Sequence, residues 1–179
     1  MILICHTSHE GHTAHLAQRA ADAGKAVGFE PQIVDLRKQS PTLDTTQGVL
    51  VLASIHMGKH DQKLTSWVQD NKAKLQSLPS ALVSVSLSAD SGEPKREQEA
   101  EDYLRNFLDQ TGWQPDHSLS VRGGIHLKNM KLIPRLFFKR LMRDQGLAAD
   151  EQGDADFTDY SEFDRFLVGF LEDVRKRNG

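Results

Sequence analysis

The run Ile2-Leu3-Ile4-Cys5, followed by Thr7-Ser8-His9-Glu10-Gly11-His12-Thr13, decides the fold. Four consecutive apolar residues leave no polar face, so this short strand needs cover on both sides. From Thr13 to Val27 the chain becomes Ala-rich with helical character and stops near Gly28. A buried strand that passes through a short polar loop into a helix is the first half of a βαβ unit.

The alternation continues outward from that start. Gln32–Leu36 reads as a second strand, and Val49–Ala53 as a third, apolar on both faces. Gln62–Leu75 is helical, with Leu64, Trp67, Val68 and Leu75 on one side. Ala81–Val85 is a fourth strand. Pro94–Gln110 is a helix with Pro94 in its first turn and Leu104, Phe107 and Leu108 facing inward. Leu119–Val121 is a weaker fifth strand, and Asp159–Arg175 a last helix with Phe163, Phe166, Leu167, Phe170 and Leu171 at helical spacing. Right-handed crossovers between such strands predict an α/β fold with a doubly wound, five-stranded parallel sheet in the order 2-1-3-4-5. Residues 123–157 are too long for an ordinary strand-to-helix loop and read as an insertion.

Composition narrows the class. The chain has 179 residues, 38% hydrophobic and 26% charged, which fits one globular domain spanning 1–179. Cys5 is the single cysteine, so no disulfide framework forms within the chain. No run is long and apolar enough to cross a bilayer, and no secretory signal follows Met1, so a cytoplasmic setting is expected. The formal charge of −3 hides an asymmetry. Arg122, Lys128, Lys131, Arg135, Lys139, Arg140 and Arg143 lie within residues 122–143 without a single acid, and the remainder is acidic.

In the predicted fold the Thr7–Thr13 loop lies at the carboxyl end of the central strand, where the winding direction switches. Its hydroxyls, Gly11 and the helix N-terminus can together cradle a phosphate; a Ser/Thr-rich helix cap without a ligand reads equally well. The Gly-Lys-Ser/Thr ending of a P-loop is missing, and a single Gly does not make a dinucleotide fingerprint.

Thr-Ser-x-x-Gly-x-Thr at this place resembles the phosphate loop of flavodoxins and, more closely, of the menaquinone-dependent protoporphyrinogen IX dehydrogenases, a flavodoxin-like family that binds FMN. The resemblance runs through Ala53-Ser54-Ile55-His56-Met57-Gly58-Lys59-His60, Leu78-Pro79-Ser80-Ala81, Ser84-Val85-Ser86-Leu87, Gly123-Gly124 and Phe157-Thr158-Asp159-Tyr160. It implies an FMN-dependent, quinone-linked dehydrogenase of haem biosynthesis. Thr7, Ser8, His9, Glu10, Gly11, His12 and Thr13 would meet the FMN phosphate. Ser54, Ile55, His56, Met57, Gly58 and Lys59 would line one side of the flavin, and Ser86, Leu87 and Ser88 the other. Neither Trp67 nor Trp113 falls in these loops, and Met57 stands where an aromatic would stack, so a weakly stacked flavin is expected. The alternatives are a flavodoxin-like electron carrier docking a redox partner, and a flavin-free interaction module.

Beyond Pro134, Phe137, Phe138, Leu141 and Met142 alternate with Arg135, Lys139, Arg140 and Arg143 at helical period. Residues 125–143 so read as a basic amphipathic segment. It suits an anionic membrane surface, a carboxylate-bearing porphyrinogen or an acidic protein, and its apolar side also suits simple packing on the sheet. With the resemblance, Arg122, Lys128, Arg135, Lys139 and Arg143 become candidates for substrate or membrane contact, the acceptor being a membrane quinone and the location peripheral to the inner face of the membrane. Nucleic acid fits poorly, because no reading motif accompanies the charge. His6, His9, His12 and His15 are spaced like metal ligands but lack a completing acid or cysteine, so no metal is expected. Cys5 reads as a small core residue. The flavin carries the chemistry in this scheme, and no side-chain base is assigned.

Overall fold

The computed structural model describes residues 1–125 and 154–179. In chain order these form β1 (Ile2–Thr7), α1 (His12–Ala26), β2 (Pro31–Asp35), β3 (Gly48–Ser54), α2 (Gln62–Ser77), β4 (Ser80–Ser86), α3 (Pro94–Thr111), β5 (His117–Arg122), β6 (Gly124–Ile125), β7 (Ala155–Asp156) and α4 (Tyr160–Asn178). The five long strands are parallel, in the order β2-β1-β3-β4-β5. This is the expected topology, with the winding reversing between β1 and β3.

The period-2 alternation of each central strand divides the core. Ile2, Ile4, Leu50, Leu52 and Val83 face α1 and α4, where Leu16, Ala20, Phe163, Phe170 and Val174 meet them. Leu3, Cys5, Val49, Val51 and Leu82 face α2 and α3, against Leu64, Trp67, Val68 and Phe107. Both tryptophans belong to this second layer, and burial pushes the Cys5 thiol well up, which makes it a core residue rather than a nucleophile.

Every element keeps its place and most ends shift by a residue or more; three of these shifts have plain local reasons. Strand β1 continues to Thr7, because its ladder to β3 carries on through Thr7↔Ala53. Asp159 stands just outside α4 rather than inside it; its carboxylate accepts from the Ser161 and Glu162 amides and caps the helix. Strand β5 extends back to His117, since an edge strand tolerates the polar His117, Ser118 and Ser120.

The insertion has a stem. Strands β6 and β7 pair antiparallel, Gly124 with Asp156 and Ile125 with Ala155, so the chain leaves and re-enters the fold side by side. The helical pattern read beyond Pro134, and with it Lys128, Arg135, Lys139 and Arg143, lies outside the described residues.

Candidate functional site

The loops after β1, β3 and β4 meet at the carboxyl ends of the strands around a cleft of about 510 Å³. Of the expected residues, Ser8, His9, Glu10, His12 and Thr13 line it from the first loop, Ser54 to Gly58 from the second, and Ser86, Leu87 and Ser88 from the third. Thr7, Gly11 and Lys59 do not line it. Thr7 lies beneath the loop with no exposure. Gly11 is the residue before α1, at φ 105°, a conformation that glycine adopts without penalty. Lys59 closes a turn with His56 through two backbone hydrogen bonds, 2.9 and 3.2 Å long.

Asp61 caps α2 and Asp159 caps α4, whereas no side chain caps α1 or α3; of these two uncapped starts, α1 has Gly11 before it and its first residues His12 and Thr13 line the cleft. The Ser8 hydroxyl accepts from the Gly11 amide at 3.0 Å and closes the loop. On the side away from the cleft, the Arg37 guanidinium donates to the Ser8 carbonyl, which adds positive charge behind the loop. Two further hydroxyls are buried without a hydrogen-bond partner, Thr7 Oγ1 at the end of β1 and Ser54 Oγ at the end of β3. Orphaned buried hydroxyls are costly; Ser54 lines the cleft, where a polar ligand would meet it, and Thr7 lies beneath the first loop. An uncapped helix N-terminus, a hydroxyl-bearing loop and a cation behind it fit a phosphate ester.

The second loop is shaped by a tight turn. Met57 and Gly58 both have positive φ, 50° and 75°, as a two-residue hairpin turn between His56 and Lys59 requires. The turn presents the Met57 side chain 89% exposed at the rim. The third loop is held from within and from α3. Ser86 Oγ accepts from the Ala89 amide at 3.1 Å, and Arg96 donates to the Leu87 carbonyl at 3.0 Å.

His9, His56 and Tyr103 bring aromatic rings to the cleft. The His9 and His56 rings stack at 4.5 Å and 5° across the first two loops. Burial lowers the His9 pKa, and the nearby Arg37 charge and His56 lower it further, so the ring is neutral near pH 7. Tyr103, on α3, also lines the cleft and lies over Gly58, with its hydroxyl 3.8 Å from where a Cβ would stand there. Sequence reasoning missed Tyr103 as well as the cleft contacts of Val85, Gly123 and Gly124. The only sequence signal for Tyr103 was its position next to the inward Leu104, which does not say which loops that end of α3 approaches.

His60 lies behind the second loop. Its Nε2 is 3.2 Å from Ser84 Oγ, its ring is 4.7 Å from Phe107, and burial pushes its pKa down to about 4. Arg122 does not line the cleft; its guanidinium donates to the Asp90 carbonyl at 3.3 Å and lies 4.6 Å over the Phe157 ring. The four histidines of the first segment go to separate surroundings, with His6 in the strand, His9 on His56, His12 near Thr158 and His15 beside Tyr160.

Comparison with known proteins agrees with this geometry. The chain is 26% identical over 165 residues to protoporphyrinogen IX dehydrogenase [quinone] of Escherichia coli K12, covering 92% of this chain and 91% of that protein. It is 26% identical over 173 residues to the protein of the same name from Leishmania major, covering 94% and 73%. Among solved structures, oxidised Flavodoxin 1 from Bacillus cereus superposes with a TM-score of 0.55 at 16% identity, covering 96% of this chain and 97% of that one. A flavodoxin from the domain Archaea gives 0.53 at 12% identity, covering 98% and 99%. Residues 3–152 match the flavodoxin domain family, and the chain belongs to that family.

Proposed function

We propose that this protein is an FMN-dependent oxidoreductase that oxidises protoporphyrinogen IX and passes the electrons to a quinone. The observation that carries the reading is the uncapped start of α1 opening into a cleft walled by the loops after β1, β3 and β4. Likeness to relatives named as quinone-linked protoporphyrinogen dehydrogenases, over 92% of the chain, supports the substrate and the acceptor.

Bound FMN would supply the redox chemistry as a two-electron carrier: each cycle removes two electrons and two protons from the porphyrinogen and delivers two electrons to the quinone, which takes up two protons to become the quinol. The chain's own residues bind and orient. Amides at the start of α1 and the Ser8 and Thr13 hydroxyls hold the phosphate, with Arg37 behind them. Thr7 beneath the loop and Ser54 at the cleft each offer a hydroxyl that has no protein partner. Ser54 to Gly58 and Ser86 to Ser88 wall the flavin end. The flat faces of His9, His56 and Tyr103 provide the contact that tryptophans give elsewhere. Conversion of a porphyrinogen to a porphyrin removes six electrons, so three such cycles complete it.

Arg122, Lys128, Arg135, Lys139 and Arg143 meet the substrate propionates or anionic lipid headgroups in this reading. Among the described residues no helix is long and apolar enough to cross a membrane. Charge reversal at Arg135, Lys139 and Arg143 together abolishes co-sedimentation with anionic vesicles; unchanged binding refutes the electrostatic contact.

The direct test is an absorption spectrum with and without added FMN, followed by protoporphyrinogen oxidation with a quinone acceptor. The protein turns yellow and turns over. Substitution of Gly11 and Ser8 removes both properties. Turnover that survives loss of this loop refutes the scheme.

A further inference from the structure

His12 serves two parts of the molecule. Its backbone opens α1 beside the cleft, but its imidazole is buried to 5% exposure under the stem of the insertion. Nε2 lies 2.9 Å from Thr158 Oγ1, 146 residues away in the chain, and 3.9 Å from Asp156 Oδ1 on β7. On the other strand, a Cβ at Gly124 would stand 2.8 Å from Nδ1, and one at Gly123 3.6 Å from Cδ2. The ring is thus wedged between the strand that leaves the fold and the strand that returns.

The hydrogen-bond directions follow from counting protons. Thr158 Oγ1 donates its single hydrogen to the Arg122 carbonyl at 2.8 Å, so it accepts from His12 Nε2–H. A relay from His12 through Thr158 to the Arg122 carbonyl ties the first turn of α1 to the end of β5. Asp156 is fixed beside it, accepting from the Thr158 amide at 3.0 Å and from the Tyr160 hydroxyl. A ribbon of two residues per strand is marginal on its own and depends on such a brace.

We propose that His12 is a positioning residue that joins the phosphate cradle to the β6–β7 stem, so that anion binding at α1 and pairing of the stem are energetically linked. The identity of the anion rests on the FMN reading above; the brace does not. A ligand that fixes the first turn of α1 fixes the imidazole and thereby favours the paired stem. By reciprocity the paired stem favours the ligand by the same factor.

The test is hydrogen exchange of the full chain, read in Gly123–Ile125 and Ala155–Thr158, with and without FMN and with inorganic phosphate as a second probe. FMN affinity is measured in parallel by fluorescence. FMN slows exchange of the stem. Thr158→Val, which does not line the cleft, speeds stem exchange without ligand and weakens FMN binding about fivefold, the low end of common coupling. Thr158→Ser, which keeps the hydroxyl, restores both. A folded Thr158→Val protein with unchanged exchange and affinity overturns the proposal, as does a serine variant that fails to rescue. Should the valine variant not fold, His12→Gln against His12→Ala decides, because only glutamine keeps a donor near Nε2. A wild type that ignores FMN overturns the functional reading, and the ligand-free exchange and the phosphate arm then judge the brace alone.

Discussion

Acidification singles out His60. Its pKa is pushed down to about 4 from an ordinary 6.5 by burial against Phe107, with Ser84 at 3.2 Å as its polar partner. A histidine depressed in the folded state costs nothing above pH 6.5, where both folded and unfolded chains hold it neutral. As pH falls below that value the unfolded chain gains a proton that the folded one refuses, and stability is lost until the folded pKa is passed. The shift corresponds to about 3 kcal/mol once both forms are protonated, and to about 2 kcal/mol at pH 5. Substitution His60→Gln keeps a side chain able to reach Ser84 and removes the titration. Urea unfolding at pH 7.5 and pH 5.0 is the assay, since the midpoint and slope give the stability directly. His6 and His9 are also lowered, but both titrate equally in the two proteins and cancel in the comparison. The wild type therefore loses about 2 kcal/mol more than His60→Gln between the two pH values. Equal losses in both proteins refute the assignment of a buried, neutral His60.

Other expectations follow from single contacts. Thr7→Val replaces a buried, unpartnered hydroxyl by a methyl; it raises ligand-free stability by up to about 1 kcal/mol in thermal melts and weakens FMN binding in a fluorescence titration. Gly124→Ala places a Cβ 2.8 Å from the Ala155 carbonyl and costs about 1–3 kcal/mol by chemical denaturation, together with slower uptake of flavin. Arg37→Gln removes one of the charges that depress His9, so the His9 pKa followed by NMR rises.

The sequence makes the sheet easy to read because its central strands are nearly uniform. Ile2–Cys5, Val49–Ala53 and Ala81–Val85 carry apolar runs that only a sheet covered on both faces can bury. The edge strand β5 is harder, since only Val121 is fully buried and His117, Ser118 and Ser120 break the apolar signal. The cleft loops are legible for a related reason: the topology fixes which loops meet at the switch point before any side chain is considered. What escaped depends on contacts across long sequence separation. Tyr103 reaches the cleft through the placement of α3, and His12 meets Thr158 across 146 residues. The two-residue strands of the stem are too short to carry a periodicity. Trp67 and Trp113 lie in the core, away from the cleft loops, as their places in the sequence indicated.

The side-by-side departure and return at Gly124–Ile125 and Ala155–Asp156 make this corner of the molecule a graft point. Because both ends are anchored there, the parallel scaffold does not register how many residues are spliced between them. Doubling the length of a flexible splice adds only about 0.6 kcal/mol of closure entropy. Evolution, or an engineer, can exchange that cassette while keeping the same two points of attachment on the scaffold.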